Sequence, residues 1–235
     1  MVGKLVVFDV DGTLTRSTHC DAVAFVAAVE DVFGIKDVCQ DWSLYRHVTD
    51  SGILDELVNS ALGRSPTNRE LTAMQHRCRF LLETYLAEEG LEPVAGAPAL
   101  IERLSTDPSW EVTFATGAWL GSAAAKLRAT GLSLDLDKGA SANDAVRRDE
   151  IITIAINRCM EKAGGVIFDR IVSVGDGVWD VRTAAELGLP FVGVGVESDI
   201  RALREAGARH VIDSFIDLEA TLSLLEQAVP PRKAA

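Results

Sequence analysis

Leu5-Val6-Val7-Phe8, followed at once by Asp9-Val10-Asp11-Gly12-Thr13-Leu14, is the stretch whose reading decides the fold. Its first four residues are apolar, partly β-branched, and bounded by glycine and acidic residues, the pattern of a buried strand. Two acids leave the end of that strand together. Residues i and i+2 share a strand face, so Asp9 and Asp11 project toward one point, and Gly12 permits the sharp turn that follows.

Similar apolar runs at 112–115, 171–174 and 191–194 are each followed by a glycine-containing break and a helical pattern, the rhythm of a parallel sheet. A weaker strand candidate covers 132–136, and helices are expected at about 119–130, 145–162, 178–187 and 215–226. Between about Thr15 and Pro93 strand signals vanish and long amphipathic helical patterns take over. Residues 1–15 and 94–235 therefore read as an α/β, Rossmann-like parallel-sheet core, and 16–93 as an inserted helical unit. Within it, Thr67-Asn68-Arg69-Glu70 after Pro66 is a capping box that opens a helix running to about Glu89, with Gly90 as its stop. Asp50 or Ser51 is expected to cap a helix starting near Ile53.

In an open parallel sheet, ligands bind at the carboxyl ends of the strands. A second acidic cluster, Val174-Gly175-Asp176-Gly177-Val178-Trp179-Asp180, directly follows the 171–174 run, so both clusters should meet at one sheet edge. Carboxylate oxygens without histidine or thiolate partners suit Mg²⁺. Asp180 also fits a simple capping role in the first turn of its helix. Thr116 and Gly117 follow a third strand and offer a hydroxyl and backbone amides as a phosphate cradle. Arg147 and Arg148 precede a helix, and either supplies a cation near Asp9. Arg46-His47-Val48-Thr49-Asp50-Ser51 is the most polar stretch of the insertion. Arg46, His47 and Thr49 are its candidate substrate contacts.

These elements together resemble the haloacid dehalogenase superfamily, whose pattern is D-x-D-x-[TV], a distal Ser or Thr, a Lys or Arg, and a terminal acidic motif. The resemblance covers about residues 4–15 and 94–214, and the helical insertion sits where that family places its C1 cap. It implies a Mg²⁺-dependent phosphatase, with Asp9 as nucleophile, Asp11 as general acid/base, Thr116 binding the phosphoryl group and Arg148 stabilising the acyl phosphate. It further implies that Asp176 binds the metal directly, together with the Asp9 carboxylate and the Asp11 carbonyl, with Asp180 helping directly or through water. Members that act on carbon–halogen bonds replace the second aspartate, so Asp11 favours phosphoryl transfer.

Composition narrows the partners. With 35 acidic against 23 basic residues, the formal charge of −12 repels polyanionic backbones, which argues against nucleic acid. No apolar run approaches the roughly 18 residues needed to span a bilayer. The four cysteines are scattered without a C-x-x-C pair and no signal peptide is evident, so a cytoplasmic setting is expected. The expected substrate is a small phosphorylated metabolite, phosphoglycolate being one candidate, and the expected state a monomer or homodimer. A phosphomutase or other phosphotransferase would share the nucleophile. A receiver-type module would hold an acyl phosphate without turnover.

Overall fold

The computed structural model describes residues 3–232. β1 (Lys4–Phe8) lies inside a five-stranded parallel sheet of order β2-β1-β3-β4-β5, formed with β2 (Trp110–Phe114), β3 (Arg170–Gly175), β4 (Phe191–Val194) and β5 (Val211–Ile212). Phe8 stands level with Phe114 on one side and with Val174 on the other, so three strands end along one line. This shared ending places the acids after β1 and β3 side by side.

Both faces of β1 are covered, which is why its sequence is apolar without alternation. Val6 and Phe8 pack on one face against Leu100 and Leu104 of α4 (Ala97–Thr106) and Leu225 of α9 (Leu218–Gln227). Leu5 and Val7 pack on the other against Ile151, Ile152 and Ala155 of α6 (Arg148–Lys162). The remaining helices of the sheet-bearing part, among the described residues, are α5 (Leu120–Ala129), α7 (Val178–Leu187) and α8 (Glu197–Glu205).

The insertion contains α1 (Thr18–Phe33), a short 3₁₀ turn at Trp42–Leu44, α2 (Asp50–Leu62) and α3 (Asn68–Glu89). It has an apolar centre of its own, built from Phe25, Leu54, Met74 and Leu82, to which the sheet-bearing part contributes Trp119 and Ala142. The two connections run side by side: Arg16 N–H donates to the Glu92 carbonyl (2.9 Å) and Val94 N–H to that of Leu14 (2.9 Å). Thr67 and Glu70 form the reciprocal capping box at the start of α3, and Gly90 follows its last residue.

Four elements differ from the sequence reading. Residues 132–136 form no strand, because Asp135 turns the chain on itself: its carboxylate accepts from Asp137 N–H (3.0 Å) and its carbonyl from Lys138 N–H (3.1 Å). The cap of α2 is Thr49, whose hydroxyl accepts from Gly52 N–H at 3.1 Å, so the helix begins earlier than Ile53. β5 has only two residues and α8 is strongly charged, so neither carried enough apolar pattern to be read. No helix among the described residues is long and apolar enough to cross a membrane.

Candidate active site

Asp9 follows β1 directly, and its N–H donates to the Val174 carbonyl (2.9 Å), so the residue stays in ladder geometry and points to the strand ends. The chain then folds tightly, with Leu14 N–H and Thr15 N–H both donating to the Val10 carbonyl. Gly12 sits at φ +78°, and a Cβ there would overlap the Asp176 carboxylate. Only glycine lets the two acidic loops come this close.

Asp176 and Asp180 enter from the end of β3 and the first turn of α7. Carboxylate oxygens of Asp9, Asp176 and Asp180 lie within 4.8 Å of one another. Each of these groups is held above the ordinary carboxylate range: burial is the main cause, and for Asp9 and Asp176 the Asp180 charge is the next. Asp9 Oδ1 is buried without a hydrogen-bond partner. Clustered, dehydrated carboxylates with an unpaired oxygen are stable as anions only beside added positive charge. The donor set, all hard oxygen, fits a divalent cation of the magnesium class.

Arg148 supplies the built-in part of that charge. Its Nη1 donates to Asp180 Oδ1 at 2.6 Å and stands 3.6 Å from Asp9 Oδ1, while Nε donates to the Val48 carbonyl (2.8 Å). Burial opposes its charge, yet Asp180 and Asp9 outweigh burial and raise its pKa. The Trp179 ring lies 5.6 Å from the guanidinium. Arg147 points away, exposed and paired with Asp149 (2.6 Å). Asp180 serves two partners, because its second oxygen accepts from Gly177 N–H at 3.0 Å and caps α7.

Thr116 is buried at the end of β2, and its hydroxyl accepts from Ala118 N–H (3.1 Å). Gly117 follows, with no room for a Cβ between Arg148 and the Val48 carbonyl. Asp9, Asp11, Thr116, Gly117, Arg148 and Asp176 all line one cavity, whose opposite wall is the insertion, including Phe25, Trp42 and Ile53. The segment 46–51 divides. Thr49 lines the cavity, but Arg46 and His47 do not.

That segment is fastened to the sheet-bearing part at several points. The Thr49 hydroxyl donates to the Val146 carbonyl (2.8 Å), Ser51 to that of Ala142 (2.7 Å), and Asp50 Oδ2 accepts from Trp119 N–H (2.8 Å). Trp119 Nε1 donates in turn to Ser51 (2.8 Å). Its polarity thus serves a docking seam.

Sequence reasoning missed Lys126 and Asp21. Lys126 is wholly buried on α5, and its Nζ donates to Asp11 Oδ1 at 2.6 Å and pairs with Asp21 of α1. A signal existed: Trp119, Ser122, Ala123 and Lys126 fall on one helix face, and that face is buried.

A parallel sheet with acids at neighbouring strand ends and a helical insertion just after the first is the architecture of the haloacid dehalogenase-like hydrolases. The model of that family matches residues 4–188, and the chain belongs to it. No curated protein matches the sequence. Among solved structures, a hydrolase from Pseudomonas syringae is 23% identical with a TM-score of 0.69, covering 94% of this chain and 98% of that one. CbbY from Rhodobacter sphaeroides in complex with phosphate is 17% identical with a TM-score of 0.63, covering 93% and 96%. A β-phosphoglucomutase from Clostridium difficile is 16% identical with a TM-score of 0.67, covering 97% and 98%. At these identities the likeness concerns the fold.

Proposed function

We propose that the protein is a magnesium-dependent phosphomonoesterase that passes a phosphoryl group from a small metabolite to Asp9 and then to water. The observation that carries this reading is the buried, unpartnered Oδ1 of Asp9, 3.6 Å from Arg148 and grouped with two further carboxylates. An anion in that setting carries an unpaired lone pair that suits an electrophile and calls for a counter-charge.

Asp9 attacks phosphorus in line, forming the acyl phosphate as the ester P–O bond breaks. Asp11 gives its proton to the departing alcohol oxygen. Water then attacks the phosphorus of the acyl phosphate and yields its proton to Asp11, which frees Asp9 and inorganic phosphate. Arg148 screens the repulsion between Asp9 and the phosphate, and Thr116 with the amides near Gly117 holds phosphoryl oxygens. Asp9, Asp176, the Asp11 carbonyl and Asp180 would hold magnesium, which supplies charge neutralisation at the phosphoryl oxygens. The insertion acts as a cap that excludes water during transfer, with the paired connections at Thr15 and Pro93 as its hinge.

On the cap side the cavity carries Asp21 and Asp50 beside Ala22, Phe25, Trp42 and Ile53. Such a wall suits an uncharged alcohol with some apolar surface better than a second anionic group, so the glycolate ester expected from family likeness is disfavoured in this reading.

The experiment is phosphate release from a panel of phosphomonoesters with magnesium, and with EDTA as control. Hydrolysis that vanishes with EDTA and in Asp9→Asn supports the proposal. A positional isomer of a sugar phosphate in place of free phosphate would replace it with a mutase, and a long-lived phosphoprotein without turnover with a receiver-like acceptor.

A further inference from the structure

A lysine ammonium is among the costliest groups to bury, and proteins bury it only with partners. Lys126 has no exposed surface, and both of its partners are carboxylates. One is Asp11 in the turn after β1; the other is Asp21 in the insertion.

The arrangement is asymmetric about Asp11. Its Oδ1 accepts from both Lys126 Nζ and the Ser17 hydroxyl, whereas Oδ2 accepts nothing among the described residues. Ser17 is itself buried and contacts the Thr15 hydroxyl (2.6 Å), so the pair of donors is fixed in place. Asp11 meanwhile lines the cavity. An oxygen that already accepts two strong hydrogen bonds is a poor proton acceptor, and a carboxyl pinned through one oxygen presents the other in a single orientation.

Resting on the phosphatase reading above, we infer that Lys126 is a positioning residue: it pins Oδ1 of Asp11 so that Oδ2 faces the substrate as the proton-exchanging oxygen. Asp21 anchors the lysine from the opposite side and ties the first helix of the insertion to the same ammonium. Lys126 itself touches no substrate.

A purely structural lysine and a positioning lysine predict different kinetics. General-acid help matters greatly when the departing group is a poorly stabilised alkoxide and little when it is a stabilised phenolate. Asp21→Asn, Lys126→Met and the double variant Lys126→Met/Asp21→Asn are compared with wild type on an alkyl ester, glycerol 2-phosphate, and on p-nitrophenyl phosphate. The double variant leaves no unpaired carboxylate at position 21 and serves if Lys126→Met fails to fold. In both Lys126 variants kcat/KM, which reports phosphoryl transfer to Asp9 and not the later hydrolysis common to both esters, falls about tenfold to a hundredfold more on the alkyl ester than on the aryl ester. Asp21→Asn retains the Lys126–Asp11 bond and keeps the wild-type ratio. Equal losses on both esters, or no loss, in a folded Lys126 variant overturns the inference. Absence of magnesium-dependent hydrolysis in wild type would instead strike the phosphatase reading.

Discussion

Arg148 and Asp180 form a 2.6 Å ion pair inside the cavity wall, and the same guanidinium nitrogen faces Asp9 at 3.6 Å. Asp180 thus aims the cation at Asp9, the nucleophile in the proposed reaction, whatever further part it takes in binding metal. Replacing Arg148 with methionine keeps length and removes every donor. We expect kcat to fall by about a hundredfold to a thousandfold, the usual cost of losing one preorganised donor to a developing charge. Arg147→Ala, which removes only exposed ion pairs, leaves kcat and the melting temperature unchanged. Steady-state kinetics and thermal melts of the two variants make the comparison.

The acidic cluster carries a stability cost without a cation. Burial first, and Asp180 next, push the Asp176 carboxyl up, so its charge works against the metal-free fold. Asp176→Asn is therefore expected to raise the melting temperature in EDTA. Magnesium at about a hundred times its dissociation constant stabilises wild type by roughly 2.7 kcal/mol, which corresponds to a rise of about 5–10 °C for a chain of this size. The variant loses that rise. Differential scanning fluorimetry with and without magnesium reads both signs, and needs no substrate.

The convergence of the candidate site was legible because its residues sit where chain direction is fixed. Asp9, Asp11, Asp176 and Thr116 each follow a buried apolar run, and parallel strands in register deliver their ends to one line. What escaped was set by partners distant in sequence. Lys126 shares a helix face with Trp119 and Ala123, but nothing within α5 names its partner, Asp11, 115 positions earlier. The polar run 46–51 suggested substrate recognition, since sequence alone cannot distinguish polarity that meets ligand from polarity that meets backbone carbonyls across a seam. Residues 132–136 alternate like a strand, but Asp135 captures the amides a ladder would need.

At that seam, Asp50 holds the N-terminal turn of α5 through Trp119 N–H (2.8 Å), and burial raises its pKa, with the Asp21 charge as the second cause. The amide needs an acceptor, but the site does not favour a charge. Asp50→Asn keeps an acceptor and should leave stability unchanged or improved. Asp50→Ala removes it and is expected to cost about 1–3 kcal/mol, the penalty for an unsatisfied buried amide. Chemical denaturation of the two variants separates the acceptor from its charge.

The cap-side wall gives a prediction about substrate charge. Asp21 and Asp50 border the space where a departing alcohol would lie, Lys126 is already committed to Asp11 and Asp21, and Arg148 stands on the phosphoryl side. A second phosphate or a carboxylate on the substrate would therefore meet the Asp21 carboxylate and apolar surface, with no uncommitted cation among the described lining residues to answer it. Phe25, with Trp42 at 6.1 Å and Trp119 at 5.9 Å between ring centroids, offers apolar contact instead. We expect kcat/KM for uncharged alcohol esters to exceed that for 2-phosphoglycolate or a sugar bisphosphate of similar size by at least about tenfold. Asp21→Asn should narrow that gap, chiefly through a lower KM for the doubly anionic ester. A wild-type preference for the anionic esters would mean that the wall does not face the leaving group.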